Sequence, residues 1–261
     1  MTTSVPGILA RIVEEKAVEL QQATLTRSAL ENRAADLTRG RRDFAAALRA
    51  KKIAIISEIK KASPSKGLLC ADFRPAEIAR EYEAGGAAAL SVLTDRKFFQ
   101  GSLADLESAR EAVHIPALRK DFTTSEYHVV EAAAHGADAI LLIAAVLSDL
   151  EMRTLRELAA QYRMAALVEV HNGEELESAI ASGAEIIGVN NRNLHTFEVK
   201  LETSLRLAEK IPASALKISE SGVDSRAQID TLREVGYQAF LIGEHFMRAS
   251  NPREALLALT A

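Results

Sequence analysis

Hydrophobic positions along the chain change their spacing once, near residue 50. Before that point apolar residues recur at helical intervals. Ile8, Ile12 and Val13 mark one face, and Phe44 and Leu48, set among alanines, mark another. Residues 1 to about 50 therefore read as a helical extension without strand-like runs. The polar stretch 32–42 inside it reads as a loop with a short helix.

From residue 53 onward, apolar and β-branched runs alternate with amphipathic segments. The runs fall at 53–56, 87–93, 115–118, 137–145, 165–170, 185–189, 216–218 and 239–242. The segments between and after them predict helices over 75–83, 103–113, 125–135, 147–162, 174–182, 204–210, 225–234 and 252–260. Several helices end on glycine just before the next run, at Gly85-Gly86, Gly136, Gly183 and Gly236, as a left-handed C-terminal stop requires. Ser148 and Ser225 stand at N-cap positions. Continuous apolar strands separated by helices imply a parallel sheet covered by those helices. Eight such units favour a closed (β/α)8 barrel, and no glycine-rich dinucleotide fingerprint follows the first run. The expectation is an α/β protein with one domain over residues 1–261: a helical extension over about 1–50 and a TIM barrel from about 53 to 261.

Composition narrows the possibilities. Hydrophobic residues make up 48% of the chain, enough for a large core, and 32 basic against 36 acidic residues give a net charge of −4. That balance lacks the basic footprint of a nucleic-acid binder. One cysteine, Cys70, excludes an internal disulfide framework and a cysteine-based zinc cluster. No run approaches the roughly 18 apolar residues of a membrane span, and no basic segment followed by an apolar core opens the chain. A cytoplasmic protein without membrane or nucleic-acid partners is expected, with monomer as the default.

Catalytic groups of such barrels sit at the carboxyl ends of the strands. Here the first run ends in Ser57-Glu58-Ile59-Lys60, where residues two apart share a face of the strand. The third ends in Arg119-Lys120-Asp121, the fifth in Glu169-Val170-His171, and the sixth in Asn190-Asn191-Arg192. The seventh ends in Glu220-Ser221-Gly222, and the eighth in Gly243-Glu244. A single strand-end charge is ordinarily a solvated or ion-paired group. Six strands ending this way at one mouth must pair or meet a ligand, because unpaired burial costs several kcal/mol each. Mixed carboxylates and lysines suit general acid–base work, since neighbouring charges drive pKa values apart. The glycines after the last two runs expose backbone N–H groups at the corner where barrels of this type frequently bind phosphate.

The stretch Glu58-Ile59-Lys60-Lys61-Ala62-Ser63-Pro64-Ser65-Lys66-Gly67 resembles the signature of indole-3-glycerol-phosphate synthases. The likeness continues through Ser91-Val92-Leu93-Thr94-Asp95, Leu118-Arg119-Lys120-Asp121-Phe122 and Leu167-Val168-Glu169-Val170-His171. It extends through Gly188-Val189-Asn190-Asn191-Arg192-Asn193-Leu194, Ser219-Glu220-Ser221-Gly222 and Leu241-Ile242-Gly243-Glu244, and with the helical extension from Ile8-Leu9 it spans nearly the whole chain. The resemblance implies a carboxy-lyase of tryptophan biosynthesis acting on a small phosphosugar–anthranilate without metal or cofactor. It implies Lys120 as general acid of ring closure, with Glu58 and Glu169 orienting lysines and supplying a base, the choice between them open. Lys60 would contact phosphate and assist as a second acid. Ser63, Phe122, Asn190, Arg192, Glu220 and Ser221 would bind substrate, with Gly222, Gly243 and Glu244 at the phosphate. The segment from Lys61 to about Phe73 would be a lid, and Phe98 and Phe99 either touch the aromatic ring or fill core. Rivals are another phosphosugar barrel such as phosphoribosylanthranilate isomerase, which would carry cysteine where Glu58 stands, a Schiff-base aldolase using Lys120 or Lys217, and a catalytically dead binding barrel.

Overall fold

A computed structural model describes residues 7–260; residues 1–6 at the start of the expected extension, and residue 261, lie outside the described residues. Eight parallel strands close on themselves in chain order. They are β1 (Ala54–Ile59), β2 (Ala89–Leu93), β3 (Ala117–Lys120), β4 (Ala139–Ile143), β5 (Ala165–Val170), β6 (Ile186–Asn190), β7 (Leu216–Glu220) and β8 (Ala239–Ile242). β1 pairs with β8 in register Ile56 to Leu241 and with β2 in register Glu58 to Ser91, so the sheet has no free edge. The expected (β/α)8 barrel is the fold.

Two apolar layers hold it. Ile56, Leu118, Leu141, Leu167, Ile186, Ile218 and Leu241 fill the barrel interior, while Ile55, Leu90, Ile140, Val168, Ile187 and Phe240 face the surrounding helices. This is the two-residue alternation of a strand packed on both faces. Helices α4 (Pro75–Ala84), α5 (Leu103–Glu111), α6 (Glu126–Ala134), α7 (Asp149–Gln161), α8 (Gly173–Ala181), α9 (Glu202–Leu207) and α10 (Arg226–Glu234) follow the first seven strands. After β8 comes a short helix the periodicity did not predict, α11 (Glu244–Met247), and then α12 (Pro252–Thr260). Ser148 caps α7 in a reciprocal box with Glu151, and Ser225 caps α10 with Gln228, as the sequence indicated.

The extension differs from expectation in two respects. Residues 32–42 are not mainly loop. Most belong to α2 (Arg27–Thr38), which starts from a Thr26 cap and lies along α6. Only Leu30 and Ala34 of α2 are buried, so its apolar stripe is too thin for periodicity to register. In α1 (Gly7–Gln21) the buried positions are Leu9, Ile12 and Lys16, so the inward face is rotated from the Ile8–Ile12–Val13 stripe and carries a lysine. α3 (Phe44–Arg49) buries Phe44 and Leu48 beside the starts of β1 and β2.

Candidate active site

Glu58, Lys60, Lys120, Glu169 and Glu220 converge on one cavity of about 540 Å³ at the carboxyl ends of the strands. All five come from the ends of alternate strands β1, β3, β5 and β7, the pattern by which layers of a barrel interior are filled. Lys120 Nζ donates to Glu169 Oε2 at 2.8 Å and to Glu220 Oε2 at 2.9 Å. Lys60 forms an ion pair with Glu58. Two glycines make room, one on β6 and one just past β8: a methyl group at Gly188 would overlap the Glu220 carboxylate, and one at Gly243 would overlap Glu58.

The two carboxylates on Lys120 are electrostatically unequal. Burial pushes Glu169 up, but the Lys120 ammonium and the His171 imidazolium outweigh it and hold the carboxyl well below the usual range. For Glu220 burial wins. Against the pull of Lys120, and with Glu169 nearby as a like charge, its carboxyl is pushed up to about 7. Glu220 Oε1 is buried without a hydrogen-bond partner among the described residues, which a neutral carboxyl tolerates better than an ionised one. Lys120 feels burial lowering its pKa, yet its carboxylates raise it above the ordinary value, so it stays an ammonium.

The remaining predicted residues line the same cavity. Ser63 enters from the segment after β1, where residues 62–63 and 67–68 form a small antiparallel ribbon and the exposed Pro64 and Ser65 border the cavity mouth. Phe122 stacks with Phe99 at 6.1 Å between centroids, and Phe99 lines the cavity whereas Phe98 does not. Asn190 Oδ1 accepts from the Arg192 N–H at 3.0 Å. Ser221 and Gly222 both adopt left-handed backbone, φ 65° and 81°, where the chain leaves β7. Gly243 begins the turn into α11, and Glu244 gathers Arg248 at 3.2 Å, Lys66 of the ribbon segment at 3.7 Å and Arg192 at 3.8 Å. A corner rich in cations and small residues thus lines the same cavity as the apolar Ile8, Leu9, Ile12 and Leu194.

Comparison with known proteins decides the family. The sequence profile described as indole-3-glycerol phosphate synthase matches residues 9–259. The chain belongs to the indole-3-glycerol phosphate synthase family. Curated relatives of that name include those of Chromobacterium violaceum, 51% identical over 97% of both chains, and Polaromonas naphthalenivorans, 54% identical over 84% of both. Among solved structures, thiamine phosphate pyrophosphorylase from Pyrococcus furiosus aligns with TM-score 0.59 at 17% identity, covering 81% of this chain and 95% of that one. A 3-hexulose-6-phosphate synthase aligns with TM-score 0.62 at 16% identity, covering 79% and 98%. At these identities the likeness concerns fold alone. The indole-3-glycerol phosphate synthases are carboxy-lyases of tryptophan biosynthesis, so the resemblance read from the strand-end motifs is borne out. No helix among the described residues is long and apolar enough to cross a membrane.

Within this family frame, two sets of polar residues had no role assigned from sequence. Lys16 of α1 is buried and reaches Asp95 and Asp121, each at 3.0 Å, at the ends of β2 and β3. Asp121 also pairs with Arg119 at 3.1 Å, and Arg119 continues to Glu131 at 2.8 Å. A lysine on an otherwise apolar helical face was the available signal. The second set is His171 with Glu175, four residues apart across the start of α8. Lys217, the alternative Schiff-base lysine, donates to the Ala208 carbonyl at 2.7 Å outside the cavity, so it does not face a substrate there.

Proposed function

We propose that this chain converts 1-(2-carboxyphenylamino)-1-deoxyribulose 5-phosphate to indole-3-glycerol phosphate, carbon dioxide and water. The observation that carries the reading is the Lys120 ammonium held between Glu169 and Glu220 in a cavity with an apolar wall and a cationic corner. The anthranilate ring fits against Ile8, Leu9, Phe99 and Phe122, and the phosphate against Lys60 and the backbone N–H groups around Gly222 and Gly243.

In ring closure the ring carbon bearing the carboxylate attacks the ketone carbon, and the carbonyl π electrons move to oxygen. Lys120 stabilises that alkoxide and gives it a proton, an electrostatic role worth several kcal/mol in a water-poor site. An alkoxide is basic enough to take the proton even from an ammonium of raised pKa. Loss of carbon dioxide returns its bonding pair to the ring and restores aromaticity. In dehydration the new hydroxyl leaves with a proton from Lys60, while Glu169, the carboxylate held ionised, removes a proton from the carbon next to nitrogen. Arg192 and Asn190 orient the anthranilate carboxylate and sugar hydroxyls. Ser63, Glu220 and Ser221 complete these contacts, and Glu244 steadies the basic side chains beside the phosphate. One chain carries every group named, and monomer is kept as the default state.

Purified protein mixed with the deoxyribulose substrate should develop indole fluorescence without added metal, and borohydride should trap no covalent adduct. Absence of fluorescence at saturating substrate overturns the activity, and a trapped adduct overturns the acid–base assignment of Lys120.

A further inference from the structure

His171 lies just beyond β5 with carboxylates on both ring nitrogens. Nε2 lies 3.2 Å from Glu169 Oε1, at ion-pair distance but off the line of a hydrogen bond, and Nδ1 is hydrogen-bonded to Glu175 Oε2 at 2.9 Å. The same Glu175 oxygen accepts the His171 backbone N–H at 2.8 Å, and its other oxygen accepts from Asn172 Nδ2 at 2.6 Å. Glu175 is therefore fixed on α8, and the ring is fixed by Glu175. A neutral imidazole has one N–H and one lone pair, so one of the two carboxylates would face a lone pair. Only the doubly protonated ring suits both neighbours.

This asymmetry bears on Lys120. Glu169 has a cation near each oxygen, Lys120 hydrogen-bonded to Oε2 and the His171 ring at ion-pair distance from Oε1, whereas Glu220 has Lys120 alone and no second cation near Oε1. We propose that His171 is a positioning residue which keeps Glu169 ionised and thereby assigns the proton shared in the Lys120 cluster to Glu220. The assignment rests on the acid–base reading of Glu169 given above. The other titratable side chains lining the second cavity that His171 and Glu175 border are Arg192, His195, Glu198, Lys200 and Arg206. Burial lowers the imidazole pKa, but Glu169 and Glu175 override it and raise the group to about 10, in keeping with the geometry.

The test compares wild type with His171→Gln and Glu175→Gln. Without the imidazolium, Glu169 and Glu220 become alike and share the proton. In His171→Gln, kcat should fall about tenfold at pH 6–7 and recover toward wild type above pH 8.5, with KM changed less than about twofold. Glu175→Gln should show the same pattern more weakly. A drop in kcat equal at every pH, or a loss carried by KM, overturns the proposal while leaving the wild-type activity intact. A second readout needs neither activity nor the variants. The His171 ring resonances of wild-type protein should report imidazolium from pH 6 through pH 9, and titration near the ordinary histidine value overturns the proposal even if the variants do not fold.

Discussion

Lys120 is where position and charge meet most directly. It is fixed by two carboxylates of opposite inclination, one ionised and one near neutrality. Replacing it with methionine keeps the length of the side chain and removes the proton and the charge. We expect Lys120→Met to lower kcat by roughly a hundred- to a thousandfold, the usual scale for a lost transition-state donor, with KM within a few-fold of wild type. Steady-state kinetics on the fluorescent product separates the two parameters. A KM-only change would make Lys120 a binding residue. The sequence displayed the charges themselves clearly, because a strand fixes which face they share. It did not display why Glu169 and Glu220 differ. That depends on Gly188 leaving space for one and His171 backing the other, relationships that cross between strands.

At the scale of elements, α1 is the unexpected participant. Its Leu9 and Ile12 line the substrate cavity, and its Lys16 ties the helix to β2 and β3 through Asp95 and Asp121. Removing the cation leaves Asp95 buried and without its ammonium partner. Lys16→Met should therefore cost roughly 3–5 kcal/mol, the range for breaking a buried ion pair. It should also raise KM, because the helix supplying the apolar wall is no longer fixed. Denaturant unfolding and kinetics on the same preparation check both; unchanged KM in a destabilised variant would restrict Lys16 to a structural part. Barrel strands and their helices were legible because each repeats a two-sided apolar pattern bounded by glycine and cap residues. α2 was not, since a helix that buries Leu30 and Ala34 alone offers almost no stripe.

For the whole molecule, the perturbed groups define a stability profile with pH. His128 is buried, mainly desolvated and further disfavoured by Arg119, and falls to about 4 from 6.5, so the unfolded chain binds more protons between those values. That alone would weaken the fold as pH drops through the window. Glu220, raised from 4.5 to about 7, acts oppositely there, because the folded state keeps a proton the unfolded chain has lost. The two slopes offset each other. Above 6.5 His171 remains protonated in the fold up to about 10, so its contribution is complete below 6.5 and is lost as pH rises toward 10. Below 4.5 the depressed carboxyls of Asp121 and Glu169 add stability that is lost with acid. Melting temperature should form a plateau between about pH 4.5 and 6.5 and decline on both sides. Calorimetry across pH 3–10 tests it, and a single maximum near pH 8 would contradict the assignments.

The Lys16 attachment has a meaning in time as well as in space. During synthesis α1 emerges before any barrel strand, yet its two anchors lie 79 and 105 residues later, from 95 − 16 and 121 − 16. Until both are made, the Lys16 ammonium has only water and Glu19 of its own helix, at 2.9 Å in the finished fold. A helix made before the barrel is thus among the later pieces to be anchored, and a nascent chain must carry Leu9 and Ile12 without that anchor through the interval. Only a chain long enough to have completed β3 can close the wall against which a substrate ring would rest.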